Sequence, residues 1–218
     1  MKAMILAAGR GERMRPLTDS LPKPLLHVKG KALIEWHIEK LAKNGFKEII
    51  INIAHLGYKI PEYLQNGSKW SVKISYSDEQ MSGALESAGG IKKALPLLGD
   101  EPFLVLNGDI FCDYEFNPDF ELQGKLAHLI LVPNPPHNPK GDFGLKNEDV
   151  TNKDDNMYTF SGIGYYHPDF FKDVSLQKSP LAPILRNFID KNLVSGEVFN
   201  KTWHDIGTPK RLQEINEN

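Results

Sequence analysis

Two glycines and four cations stand close together near the start of the chain. The run Leu6-Ala-Ala-Gly-Arg-Gly-Glu-Arg-Met-Arg-Pro-Leu-Thr18 holds Gly9, Gly11, Arg10, Arg13 and Arg15, and Lys23 follows between Pro22 and Pro24. Glycines let a backbone turn tightly and bring its N–H groups against an anion. Arginine and lysine supply charge where phosphate oxygens would sit. Ala8, Gly9, Arg10, Gly11, Glu12 and Arg13, with Lys23, are therefore candidates for gripping a nucleoside triphosphate. A Gly-x-Gly turn after a strand can also be an ordinary βα turn or part of a dinucleotide fingerprint. That fingerprint needs a third glycine, where Met14 stands, and no acidic residue ends the second strand.

One aspartate is a candidate for a second kind of chemistry. Asp109 closes Asn107-Gly108-Asp109 directly after an apolar run. A carboxylate at a strand end is a hard oxygen ligand suited to Mg²⁺, which takes one or two protein carboxylates and completes its shell with phosphate and water. It could equally be a turn aspartate. Asp205, in Thr202-Trp-His-Asp-Ile-Gly-Thr-Pro209, reads on its residues alone as an aspartate that caps or orients a turn, with Thr208 and Pro209 starting the last helix. Glu86-Ser-Ala-Gly-Gly-Ile91 reads as a Gly-rich turn opening a helix, so the stretch with Glu86 and Gly89 could receive an anion or pack flat against a base. Ser87 could instead be a plain helix cap. The lone cysteine, Cys112, has apolar neighbours and no partner for a disulfide or metal site. The histidines have no ligand spacing, and His204 alone stands beside a candidate residue.

These residues need a scaffold, and the hydrophobic pattern supplies one. Lys2–Ala7, Glu48–Ala54 and Pro102–Leu106 read as strands buried on both faces. Between and after them, Ala32–Lys43, Gly57–Gln65 and Gly90–Leu98 read as helices. The second half is less regular: strands at Leu126–Val132, Thr159–Tyr166 and Trp203–Ile206, and helices at Pro180–Leu193 and Pro209–Asn216. A Pro/Gly/Asn-rich loop is expected at Pro133–Asp142 and a mobile hairpin or loop at Glu148–Asn156. Alternating strands and helices imply βαβ units with right-handed crossovers and ligands at the carboxyl ends of the strands. The Gly9 loop and Asp109 both fall at such ends.

Bulk composition excludes several classes. Of 218 residues, 26 are Lys or Arg and 28 are Asp or Glu, so the net charge of −2 argues against nucleic acid or an anionic membrane as the partner. A cytoplasmic chain without signal peptide or membrane span is the expectation. We find no repeat or linker that demands two independent units. One domain is expected over 1–218, with a nucleotide-binding half at 1–110 and a sugar-binding half at 111–218.

The N-terminal run with Pro22-Lys23-Pro24, and Trp203-His-Asp-Ile-Gly-Thr208, resemble the signatures of the sugar-phosphate nucleotidyltransferases. The resemblance spans the whole chain and is nearest to the compact uridylyltransferases of bacterial cell-wall sugar recycling. It implies a Rossmann-like, three-layer α/β fold of the GT-A-like kind, with a mixed, mostly parallel central sheet. It implies Mg²⁺ on Asp109 and Asp205, catalytic roles for Arg13 and Lys23, and sugar contacts at Asn107, Asp142 and Gly162. UTP and a sugar 1-phosphate would be the substrates of a monomer or weak homodimer. In the glucose-1-phosphate members a Glu-Lys-Pro precedes the sugar strand. Here that region reads Asp155-Asn-Met-Tyr158, which leaves Lys140 and Lys153 as candidates for the sugar phosphate. Hexose-1-phosphate thymidylyl or guanylyl transfer, phosphocholine cytidylyl transfer, and a nucleotide sensor without turnover are the alternatives.

Overall fold

The computed structural model describes residues 1–81 and 83–217. Thirteen strands are described: β1 (Lys2–Leu6), β2 (His27–Val28), β3 (Lys31–Ala32), β4 (Glu48–Ile53), β5 (Lys73–Asp78), β6 (Phe103–Asn107), β7 (Ile110–Cys112), β8 (Ala127–Val132), β9 (Phe143–Lys146), β10 (Asp149–Thr151), β11 (Met157–Tyr166), β12 (Val194–Val198) and β13 (Trp203–Asp205). Five helices accompany them: α1 (Leu33–Lys43), α2 (Lys59–Leu64), α3 (Glu86–Leu98), α4 (Leu181–Asp190) and α5 (Pro209–Glu217). Among the described residues no helix is long and apolar enough to cross a membrane.

Nine strands form one sheet in the order β5-β4-β1-β6-β11-β8-β12-β10-β9. The first four are mutually parallel, as expected of continuous apolar runs such as Ile49-Ile-Ile51 covered on both faces. β11 runs antiparallel between β6 and β8, and β10 is the other reversed strand. β9 also pairs with the start of β11, so β8, β12, β10, β9 and β11 close a ring of pairings.

Helices cover both faces. Ile34, Ile38 and Leu41 of α1 pack with Ala3, Ile5, Ile49 and Leu104 on one side. Ala88, Ile91 and Ala94 of α3 and Leu185 of α4 pack with Met4, Val105 and Leu129 on the other. This is the expected three-layer arrangement. A third cluster joins Leu212 and Ile215 of α5 to Met14, Leu26 and Ile206. The last helix thus braces the loop after the first strand.

Of the two expectations for Glu148–Asn156, the hairpin is the one present: β10 pairs antiparallel with β9, and Val150 is buried. Its single apolar anchor among polar residues carries too little periodicity to fix the strand's bounds. Another local reading differs from the sequence. The Gly-rich stretch is not a turn before a helix, because α3 already runs from Glu86 and holds Gly89 and Gly90 inside it. Glycine is a poor helix former, and here close packing overrides propensity. A Cβ on Gly89 would sit 2.4 Å from the Gln177 carbonyl oxygen, and one on Gly90 would sit 2.6 Å from Glu79 Oε1.

Candidate active site

A cleft of about 490 Å³ opens at the carboxyl ends of β1 and β6. Its wall includes Ala7–Gly9, Gly11–Met14, Lys23, Asn52, Glu86, Ser87, Asn107–Asp109 and Gly207. Distant parts of the chain converge here because β1 lies between β4 and β6, so three parallel strands end together.

The two loop glycines have different roles in the geometry. Gly11 is left-handed at φ 65°, and a Cβ there would lie 2.8 Å from Thr18 Cγ2. Thr18 closes the turn by donating its hydroxyl to the Gly11 carbonyl at 2.7 Å. Gly9 has an ordinary φ, and a Cβ on it would meet nothing within 4 Å. Its free space is the open cleft itself, so the fold does not require glycine there, whereas a phosphate drawn against the backbone would.

Lys23 and Asp109 form an ion pair with Nζ 2.6 Å from Oδ2, and the lysine side chain is only 12% exposed. The pair sits where the turn before β7 meets the turn after the Arg-rich loop. Arg13 lines the cleft without an ion pair among the described residues. Arg10 is exposed and lies outside the cleft wall, and Arg15 is engaged with Asp19 at 3.3 Å. Behind the site His37 is buried, and desolvation pushes its pKa down to about 4, which leaves it a neutral imidazole at neutral pH.

Asp205 comes from the other end of the chain. β13 pairs antiparallel with β7, Asp205 opposite Ile110, and the Ile206 N–H donates to the Asp109 carbonyl at 2.7 Å. The two aspartates therefore meet at the open end of one two-stranded ribbon. Asp205 Oδ1 takes Arg211 and, at 3.0 Å, His137 Nε2. Its Oδ2 lies 3.2 Å from where a Cβ of Gly207 would stand, against a residue of the cleft wall. Each aspartate keeps one carboxylate oxygen without a donor among the described residues, a donor set that suits a hard divalent cation. No group of three or more His, Cys, Asp or Glu side chains among the described residues could hold a metal alone. A cation here would need ligand phosphates to complete its shell.

Other residues anticipated from the sequence are placed differently. Glu86 lines the cleft in a left-handed conformation at φ 59°, an uncommon backbone for glutamate. Gly89 does not line it, and packs against the 177–179 loop instead. Asn107 lines the cleft, and Gly162, left-handed at φ 81°, backs directly onto it: a Cβ there would lie 2.4 Å from Asn107 Nδ2. Asp142 stands apart from the cleft wall, its oxygens accepting from Asn138 Nδ2 at 3.1 Å and the Phe160 N–H at 2.9 Å. Cys112 is inert, its thiol pKa pushed up by burial.

Asn52 and Glu79 were not anticipated from the sequence. Asn52 Oδ1 accepts from the Ala7 N–H at 2.7 Å, and its Nδ2 donates to Glu79 Oε1 at 2.8 Å. Glu79 Oε2 then accepts from the Leu85 N–H at 2.8 Å. One buried pair thus ties the Gly9 loop to the start of α3. An asparagine in a strand whose other residues after Glu48 are all isoleucine was the available signal.

The Nucleotidyl transferase family model matches residues 2–218. The chain belongs to the nucleotidyl transferase family. This nucleotidyltransferase is 51% identical over 223 residues to the N-acetylmuramate α-1-phosphate uridylyltransferase of Neisseria meningitidis serogroup B, covering 98% of this chain and 96% of that one. It is 39% identical over 142 residues to the UTP–glucose-1-phosphate uridylyltransferase of Synechocystis, matching 60% of its own length but 37% of that relative's. In fold it resembles a Bacillus anthracis protein assigned as a glucose-1-phosphate thymidylyltransferase and solved with sucrose, at a TM-score of 0.86 and 23% identity, covering 100% of this chain and 94% of that one.

Proposed function

We propose that the cleft transfers a uridylyl group from UTP to N-acetylmuramic acid α-1-phosphate, giving UDP-N-acetylmuramic acid and pyrophosphate. The observation that carries the reaction class is the open space at Gly9 beside Arg13 and the Lys23–Asp109 pair, with Asp205 joined to Asp109 through the β7–β13 ribbon. The substrate follows from the relative that shares 51% of residues over nearly both full lengths. In this reading residues 1–110 form the nucleotide half of one domain and residues 111–218 the sugar half.

The nucleophile is a phosphate monoester with a second pKa of about 6, so it is already mostly dianionic at neutral pH. No general base is needed. The work is positioning and charge neutralisation. Backbone N–H groups of Ala8–Gly11 and the Arg13 guanidinium hold the β- and γ-phosphates. Lys23 sits where the α-phosphate and the incoming sugar phosphate converge. Glu12, Glu86 and Ser87 line the nucleoside, and Asn107, supported by Gly162, faces the sugar phosphate. Asp109 and Asp205 would hold Mg²⁺, which when bound supplies positive charge between the two anions.

Asp109→Asn and Asp205→Asn test the carboxylate roles. Each keeps shape and loses charge, and each should lower kcat by about 10²-fold or more while the circular dichroism spectrum is unchanged. Near-normal turnover in either variant would make that aspartate a turn residue only.

A further inference from the structure

The proposed substrate carries two anions: the phosphate, and the carboxylate of the lactyl ether that distinguishes a muramic acid from a plain amino sugar. Arg13 and Lys23 are committed to phosphates in the reading above, so the carboxylate needs a recognition group of its own. A planar guanidinium with a neighbouring donor is the chemistry that holds a carboxylate in a fixed orientation.

Arg211 has that arrangement. It lies on α5, whose Leu212 and Ile215 pack against Met14 and Leu26 next to the Gly9 loop. Its side chain is only 21% exposed. The backbone N–H and the Nε of Arg211 both reach Thr208 Oγ1, at 3.3 and 3.4 Å, which fixes the root of the fork. Nη1 holds Asp205 and stands 3.1 Å from His137 Nε2. Nη2 makes no hydrogen bond among the described residues. It lies 2.7 Å from where a Cβ of Gly207 would stand, so only glycine leaves room for it against the cleft wall. His137 comes from the Pro-rich segment between β8 and β9. In that segment Asn138 donates to Asp142 and to Thr159 at 3.1 Å each, fixing the segment to β11. Arg211 and His137 thus meet from segments 74 residues apart in the second half of the chain, and both already converge on one carboxylate oxygen, that of Asp205.

We propose that Arg211, with His137 beside it, is the specificity-determining subsite for the carboxylate of the sugar acid. The inference rests on the substrate reading above. The free Nη2 arm and the half-exposed imidazole receive the carboxylate, while Nη1 stays on Asp205. This places recognition of the sugar's acid group next to the second of the paired aspartates. A sugar 1-phosphate without the acid loses these contacts and keeps all the others. The competing role for Arg211, holding Asp205 in place, makes a different prediction: it affects every sugar alike.

The test compares Arg211→Gln, Arg211→Lys and His137→Gln with the unaltered protein on N-acetylmuramic acid 1-phosphate and on N-acetylglucosamine 1-phosphate, both with UTP. Calorimetric Kd values for the two UDP-sugar products give a readout independent of turnover, and circular dichroism checks folding. Arg211→Gln should lower kcat/KM for the acid by about tenfold or more, mostly through KM, and weaken binding of its UDP product to a similar extent. Any loss that comes through Asp205 is shared by the neutral sugar, so the acid-to-neutral ratio of kcat/KM, and that of the two Kd values, should shift by about tenfold against the acid. Arg211→Lys should recover only part of the loss, because an ammonium lacks the fork, and His137→Gln should show a smaller loss of the same selectivity. If Arg211→Gln lowers both sugars in parallel, or leaves both unchanged, the subsite assignment is wrong while the substrate reading stands. If the unaltered protein does not use the acid at all, the substrate reading falls and this assignment falls with it.

Discussion

At Gly11 the backbone is left-handed and a Cβ would press on Thr18, whereas at Gly9 a Cβ would project into empty cleft. Alanine at the two positions should therefore act on different quantities. Gly11→Ala should cost about 1 kcal/mol or more of stability, seen as a lower Tm. Gly9→Ala should melt like the wild type and instead raise the KM for UTP. Equal melting losses in both variants would mean that neither glycine is kept for ligand. Arg13 and Lys23 separate in the same manner. Arg13 has no ion-pair partner among the described residues and, in the proposed reading, faces phosphates that are bound before and during transfer. Arg13→Ala should thus raise KM for UTP with a modest effect on kcat. Lys23 is packed onto Asp109 at 2.6 Å, where the proposed reading has charge redistribute during transfer, and Lys23→Ala should lower kcat more than it raises KM. A Lys23→Ala protein turning over at the wild-type rate would place the phosphates elsewhere. At this scale residue types and spacing pointed to Gly9, Arg13, Lys23 and Asp109, whereas Asp205 came from the family resemblance. The sequence could not distinguish Arg10 and Arg15, which share the charge and the run of sequence but not the cleft. Asp142 was equally opaque, because its hydrogen bonds come from residues brought close only by the fold.

The elements hold those residues through contacts that sequence periodicity does not encode. β1 and β4 were readable as apolar runs, but the polar bridge between them depends on register. Asn52 on β4 stands level with Leu6 on β1 and from there reaches the Ala7 N–H. Glu79 extends the bridge to Leu85, just before α3, while being fully buried and without a cation among its hydrogen-bond partners. Glu79→Gln would turn an amide NH₂ toward one of two donors, leaving a buried group unsatisfied at about 1–3 kcal/mol. The expected result is a lower Tm together with a KM for UTP raised severalfold, because α3 begins with Glu86 and Ser87 in the cleft wall. A lower Tm with unchanged KM would confine Glu79 to stability. The same bridge explains why the start of α3 was misread. Two glycines in succession read as a break, yet both are accommodated in the helix because Glu79, Asn52 and the Gln177 carbonyl leave no room for a Cβ.

Across the whole molecule, the chain returns on itself to complete the cleft. Segments up to Asp109 supply most of the lining, and the last 15 described residues, from Trp203 to Glu217, add Gly207, with Asp205 and Arg211 packed beside it. The alternation of strands and helices made the parallel half legible. The ring of β8, β12, β10, β9 and β11 was not, because short, irregular strands and a reversed β11 carry no repeating unit to extrapolate from. The meeting of Asp109 with Asp205 was implied only by family resemblance, and its physical cause is the antiparallel pairing of β7 with β13. The account as a whole stands on the identity of the two substrates. The most direct measurement is pyrophosphate release from UTP, dTTP, GTP and CTP, each crossed with N-acetylmuramic acid, N-acetylglucosamine, glucose and mannose 1-phosphates and with phosphocholine, in the presence and absence of Mg²⁺. The expected result is the highest kcat/KM for UTP with N-acetylmuramic acid 1-phosphate, abolished by chelation of the cation. A kcat/KM at least about tenfold higher for any other pair would contradict it.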